Sequence, residues 1–457
     1  MTIPSASVVA FAVGRMSITS MGFRSAFVLV AVVTVAATVR LVWRHRWLAA
    51  CGLALLSLAV GAANVGIGIN AHYAYYPNVE SLWGGYRGAD EANWTAALAA
   101  RHQARSRMTA ALGAAIPRLV TVGAAVPTVT PATTTTRVTP KPSPPAAHGL
   151  LVTVPIPGVV SGFQGRPAEI YLPPAWTADP SVRLPVLVLL HGTPGAPVDW
   201  ARSAGVDQIS DSWALRHQGV APILVMPDIN GSFWGDSDCT DGVAGHVDTY
   251  VATDVANWVA GHLRPSLDHR QWGVGGLSEG GTCAVSLALR HPTVFKTFLD
   301  YSGEDHVSHQ GGALSLFPGT VAQRRLQLSA YDPYALANRT VDPQQISGWF
   351  EVGAHDHHTA RQMRQLATVM AGRGFPVQFQ VRPGSHNFHF WGASFADSYE
   401  WMATRLGTGQ APEVPVGGVP AGRSLSSKSM PASSSPSVGR PRHAAVAVAA
   451  RPPRRTH

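Results

Sequence analysis

From Leu48 to Ile69 the chain runs twenty-two residues without a charge, close to the ~20 that an α-helix needs to cross the hydrocarbon core of a bilayer. A run of that length has to be buried in lipid or in the heart of a large domain, so the chain is not one uniform soluble globule. A shorter uncharged run, Ser25–Val39, has fifteen residues between Arg24 and Arg40 and extends to Trp43 if Arg40 snorkels toward the headgroups. The loop between them, Arg40–Trp47, is basic and flanked by Trp, as expected of a cytoplasmic turn. The expectation is a membrane region over residues 1–72 with about two transmembrane helices, and everything after Ile69 outside the cytoplasmic membrane. The competing reading takes Leu48–Gly61 as the apolar part of a late signal peptide, cut near Ala62–Ala63.

Composition agrees with a divided chain. Only 13% of the 457 residues are charged, against about a quarter in ordinary soluble domains. The net charge is +9, but residues 408–457 hold seven Lys and Arg against one acid, Glu413. That charge lies in a Pro/Ser/Ala segment almost free of aromatic residues, which reads as a disordered basic tail rather than a nucleic-acid-binding face. Residues 127–147 are Thr/Pro-rich and cannot bury a core, so 73–148 reads as a juxtamembrane segment and linker. Within it the Ala-rich stretch Asp90–Leu112 suggests one helix at the surface. The folded domain is expected over residues 149–407.

In that domain apolar β-branched runs alternate with helical patterns, which argues for an α/β fold with a mostly parallel central sheet. Strands are expected at Pro185–Leu190, Ile223–Pro227, Gln271–Gly275, Thr297–Tyr301, Gly348–Val352 and Val377–Arg382. Helices are expected at Thr249–Leu263, Gly280–Arg290, His358–Arg373 and Ala393–Arg405.

The chemistry centres on Gly276-Leu-Ser-Glu-Gly280, a G-x-S-x-G at the junction of an expected strand and an expected helix. That context makes Ser278 the nucleophile of a sharp strand-to-helix turn. A Ser hydroxyl needs an imidazole to take its proton and a carboxylate to hold the imidazole in the right tautomer. In the chain order Ser, acid, His, the histidine is His386 in Pro383-Gly-Ser-His-Asn-Phe-His-Phe-Trp391, with His389 as the fallback. The acid is Asp356, after Trp349–Gly353, preferred over Asp300, Asp305 and Asp332. Two backbone N–H groups must face the developing oxyanion. Glu279 supplies one as the residue after the nucleophile, and Thr193 in His191-Gly-Thr-Pro-Gly195 the other, with Gly192 as the alternative.

The run His355-Asp-His-His358 offers metal-ligand types, but adjacent residues cannot all face one ion, so these histidines read as exposed loop residues. No metal or cofactor is expected. Cys51 falls in the second apolar run. Cys239 and Cys283 are the other two cysteines, a reasonable disulfide in an exported domain, with two buried thiols as the alternative. Phe233, Trp234 and Trp391 are candidates for lining a pocket.

With these residues the segment Gly149–Leu406 resembles the esterase-D and mycolyltransferase-like branch of the α/β-hydrolases. The matching stretches are Leu184-Pro-Val-Leu-Val-Leu-Leu-His-Gly192, Gly275-Gly-Leu-Ser-Glu-Gly-Gly281, Gly353-x-x-Asp356 and Gly384-Ser-His-Asn-Phe-His-Phe-Trp391. The layout is similar to a membrane-anchored bacterial subgroup with a Tyr-Tyr-Pro segment after its spans, here Tyr75-Tyr76-Pro77. In that subgroup Met usually follows the nucleophile, where this chain has Glu279. The resemblance implies a serine esterase acting on a small-molecule or lipid ester. Its alternatives are a cell-envelope acyltransferase with glycan acceptors and a catalytically inactive surface binding module.

Overall fold

Along the strand Val186–Leu190 (β3) alternate side chains leave on opposite faces, as a pleated strand requires. Val186, Val188 and Leu190 join one apolar core and Leu187 and Leu189 a second. A strand that is apolar on both faces belongs in the middle of a covered, parallel sheet, and β3 lies there. The computed structural model describes residues 17–18, 20–83, 94–95, 98–99, 101–107, 109 and 148–408. The stretch 127–147 and, apart from Thr408, the basic tail lie outside the described residues. The described residues all fall within one compact unit.

The other strands of the sheet are β1 (Leu150–Val154), β2 (Ala168–Leu172), β4 (Ile223–Met226), β5 (Trp272–Leu277), β6 (Thr297–Tyr301), β7 (Ser347–Gly353) and β8 (Val377–Arg382). Their spatial order is β1-β2-β4-β3-β5-β6-β7-β8. Strands β4, β3, β5, β6, β7 and β8 run parallel, and β2 is antiparallel to both β1 and β4. The six expected strands are all present, within two residues at each end. The antiparallel pair β1 and β2 was not expected from the sequence. Glu169 interrupts its apolar pattern, yet that side chain is buried and accepts a hydrogen bond from Thr153 at 2.9 Å. Burial pushes its carboxyl up to about 7.

Two membrane-length helices precede this domain, α1 (Met21–Trp43, 23 residues) and α2 (Trp47–Tyr73, 27 residues). At 1.5 Å per residue both are long enough to cross a hydrocarbon core about 30 Å thick, and both are apolar enough to do so. Leu29, Val32, Leu48 and Leu58 are exposed on them, which suits a lipid surround rather than water. The Asn64 amide of α2 donates to Phe27 O of α1 at 3.2 Å.

On the sheet, α3 (Val206–Arg216) packs on one side with the C-terminal helix, while the helix after Ser278 packs on the other. That C-terminal helix starts at Phe388, five residues before the expected Ala393, because the Asn387 side chain caps it by accepting from Phe390 N at 3.1 Å. The described part of the Ala-rich stretch is helical over 101–107 and mostly exposed, as expected of a surface helix, and it is fastened to the domain through Arg101. Arg101 is buried, with its guanidinium over the Trp176 ring and donating to Trp176 O at 3.0 Å.

Asp300 sits in β6, fully buried beneath the turn at Ser278, where its Oδ1 accepts from Gly303 N at 2.7 Å and its Oδ2 has no partner. Burial pushes its carboxyl up to about 8. The folded chain therefore holds this proton more tightly than the unfolded one, so the stability Asp300 contributes is full below about pH 4 and drains as pH rises toward 8. Replacing Asp300 by Asn should flatten the fall in Tm between pH 5 and pH 9 seen by circular dichroism. Parallel slopes in the two proteins would contradict the assignment.

Candidate active site

Strand β5 ends at Leu277 and α4 (Glu279–Arg290) starts at the second residue after it, so Ser278 alone makes the turn, at φ 55° and ψ −127°. A non-glycine residue held there costs about 1–3 kcal/mol. The Ser278 N–H donates to Tyr301 O at 2.9 Å, tying the turn to β6. The flanking glycines are steric requirements. A Cβ on Gly276 would collide with the Gly280 carbonyl, and one on Gly280 with the carbonyls of Leu190 and His191.

The turn aims Ser278 at His386, whose Nε2 lies 2.9 Å from Ser278 Oγ. On the other side of the ring, His386 Nδ1 lies 2.7 Å from Asp356 Oδ2. Asp356 precedes α5 (His357–Gly372) as its N-cap residue yet makes no side-chain cap bond; its carboxylate is turned to His386 instead. Burial alone would raise the Asp356 carboxyl, but the hydrogen bond and charge of His386 outweigh it and hold the group below the usual carboxylate range. Trp391, at the start of α6 (Phe388–Arg405), stands edge-on to the His386 ring at 5.0 Å and is 3% exposed, so it supports the imidazole from the core. His389 is exposed on α6. Of the other acids considered, Asp332 pairs with His306 at 2.8 Å and caps a helix by accepting from Ala335 N. His355, His357 and His358 are exposed, the last two within α5 rather than in a loop.

Thr193 and Glu279 both reach the pocket beside Ser278, a cavity of about 270 Å³. Glu279 is the first residue of α4, whose N–H has no acceptor within the helix. Among the described residues no hydrogen bond uses the N–H of Thr193 or of Glu279. Gly192 comes close to Ser278, since a Cβ there would stand 2.9 Å from Ser278 Cβ. The Glu279 carboxylate is tied down: Thr193 Oγ1 donates to it, Asn230 Nδ2 donates at 2.8 Å, and Asp238 N donates at 3.0 Å. Burial pushes its carboxyl above the usual range, against the pull of those hydrogen bonds. Cys239 and Cys283 are joined by a disulfide, which fastens the loop after β4 to α4.

Residues 164–402 match the model of the esterase family described as "Putative esterase", a little over half of the chain. The chain belongs to this esterase family. An uncharacterized protein of Corynebacterium glutamicum is 35% identical over 271 residues, 57% of this chain and 63% of that protein, so the chain spans less than two thirds of that relative's length. An acetyl esterase of Caldicellulosiruptor saccharolyticus is 20% identical over 235 residues, 49% of this chain and 85% of that one. Among solved structures, a ferulic acid esterase aligns with a TM-score of 0.50 at 19% identity, over 57% of this chain and 99% of that one. The fold is that of the α/β-hydrolases, preceded by two apolar helices of membrane-spanning length.

In this member of the esterase family the loop that bears Thr193 rests on a buried charge. Asp228, at the end of β4, accepts from Arg166 Nε at 2.9 Å and Nη2 at 2.6 Å, and lies 3.0 Å from Nε2 of the fully buried His191. Burial opposes the charge on Asp228, but Arg166 and His191 overcome it and hold the carboxyl far below the usual range. Sequence reading missed this triplet, and Asn230 with it, because partners 25 to 62 residues apart leave no local pattern; the His-Gly pair at 191–192 was the one visible trace. Replacing Arg166 by Ala leaves a carboxylate buried without its cation, which costs on the order of 3 kcal/mol. Urea unfolding should show that loss, and a loss below about 0.5 kcal/mol would contradict the account.

Proposed function

We propose that the protein is a serine hydrolase of carboxylic esters in which Ser278, His386 and Asp356 form the catalytic triad, with its active domain outside the cytoplasmic membrane. The observation that carries the reading is the unbroken line of hydrogen bonds from Asp356 through His386 to Ser278. His386 Nε2 takes the Ser278 proton as Oγ attacks the ester carbonyl, and the N–H groups of Thr193 and Glu279 receive the oxyanion. Asp356 stabilises the imidazolium, which then gives its proton to the leaving alcohol and frees it from the acyl-enzyme. Water, activated by the same imidazole, releases the acid. The basic turn between α1 and α2 supports a cytoplasmic loop and an outward active domain, as does the Cys239–Cys283 disulfide, which persists in oxidising compartments.

A second reading, transfer of a lipid acyl group to another hydroxyl, draws on one further observation. An apolar cavity of about 710 Å³ lies between the ends of α1 and α2 and the rim of the hydrolase domain, walled by Phe27, Ile67, Tyr75, Phe233 and Trp234. Tyr75 OH donates to Pro194 O beside Thr193, and its ring packs on Phe388 at 4.9 Å.

Treating the full chain in detergent with a fluorophosphonate should give one adduct by mass, on Ser278, absent from Ser278→Ala and His386→Ala. Asp356→Asn should retain its fold by circular dichroism and lose about 10⁴-fold in kcat. No adduct on folded wild type would overturn the catalytic reading and favour a binding module. For the acyl-chain cavity, Trp234→Ala with Phe233→Ala should lower kcat/KM for a palmitoyl ester at least tenfold relative to an acetyl ester. Equal losses on both esters would remove the second reading.

A further inference from the structure

The pocket beside Ser278 is unusually acidic. Asp236, Asp238, Glu279 and Glu304 line it, and among the described residues no Lys or Arg does. Negative charge there opposes an oxyanion at the neighbouring serine, so the carboxylates need a counter-charge, and three of the side chains are arranged to hold one. One donor atom each from Asp236, Asp238 and His309 lies within 4.8 Å of the other two.

Two further observations point to a ligand rather than to a self-satisfied cluster. Asp238 is 4% exposed, and its Oδ2, buried in the pocket wall, has no hydrogen-bond partner. His309 Nδ1 stands 2.8 Å from Asp236 Oδ2, yet in a direction that makes no hydrogen bond. Two ligands bound to one ion at about 2.0–2.2 Å approach each other to about 3 Å without bonding to one another.

We infer that Asp236, Asp238 and His309 form a site for one divalent transition-metal cation, Zn²⁺ or Mn²⁺, in the wall of the pocket that holds Ser278. An imidazole with two carboxylates suits these ions better than Ca²⁺, which takes oxygen ligands. The site is firmly built. The Asp238 N–H is held by Glu279 Oε1, the next residue is disulfide-bonded to α4, and Gln310 N donates to Asp236 Oδ2 at 3.4 Å. Sequence reading looked for a metal only at His355–His358 and expected none.

The test uses the full chain in detergent, stripped with EDTA and moved to metal-free buffer, then titrated calorimetrically with ZnCl₂, MnCl₂ and CaCl₂. About one Zn²⁺ or Mn²⁺ should bind per chain and raise Tm, with Ca²⁺ weaker. Asp236→Asn and His309→Gln should each weaken binding at least tenfold, while Ser278→Ala, which removes the nucleophile but no ligand, should bind within twofold of wild type. No binding to folded wild type would overturn the proposal, as would unchanged affinity in both variants or a loss seen instead in His357→Ala. Because binding is read without substrate, this result is independent of whether Ser278 is catalytic.

Discussion

The rest of the domain depends on a single turn in which Ser278 is forced to a left-handed φ between the end of β5 and the start of α4. The turn is possible because Gly276 and Gly280 let one backbone lie against another, and it is fixed because Ser278 N–H is spent on β6. Strain of about 1–3 kcal/mol is small against the burial of β5 and α4 on both sides. What it secures is direction. The Oγ leaves the sheet at the C-terminal ends of the parallel strands, where the loops after β3, β7 and β8 bring Thr193, Asp356 and His386 to it. Ligands of open parallel sheets bind at that same edge.

The supporting charges are arranged around this turn at two depths. Below it, Asp300 is buried where a carboxyl stays protonated near neutrality, and Asp228 is buried where Arg166 and His191 keep it ionised. The same residue type takes opposite charge states because one site supplies a single N–H and the other a guanidinium and an imidazole. Beside Ser278, Glu279 is bound on its carboxylate by Thr193, Asn230 and Asp238, so its side chain is committed to the pocket wall while its N–H remains at the head of α4. The departure from Met at this position thus alters the electrostatics of the pocket and leaves the backbone donor in place.

Much of this was legible beforehand. The apolar run Val186–Leu190 reads as a buried strand, and the Gly-flanked serine between an expected strand and an expected helix marks where a nucleophile is expected. The order of serine, acid and histidine left several aspartates, and the place just after Trp349–Gly353 singled out Asp356; the fold brings it and His386 to Ser278 from 78 and 108 residues away along the chain. What stayed hidden was whatever depends on distant partners. Glu169 masked β2 because an acid in a buried strand looks like a loop residue until Thr153 is seen opposite it. Arg101 reads as a surface residue of an Ala-rich helix until Trp176 is found beneath it. The network of Arg166, His191 and Asp228, and the carboxylates gathered around Asp238, come from separate loops and leave no spacing to read.

In the proposed mechanism the turn at Ser278 points its Oγ at a site shared with the N–H groups of Thr193 and Glu279. The most direct measurement is an experimental structure of the phosphonylated protein. Phosphorus is expected on Ser278 Oγ, with the phosphoryl oxygen about 2.7–3.1 Å from both N–H groups. An oxygen held by neither, or by solvent alone, would contradict it.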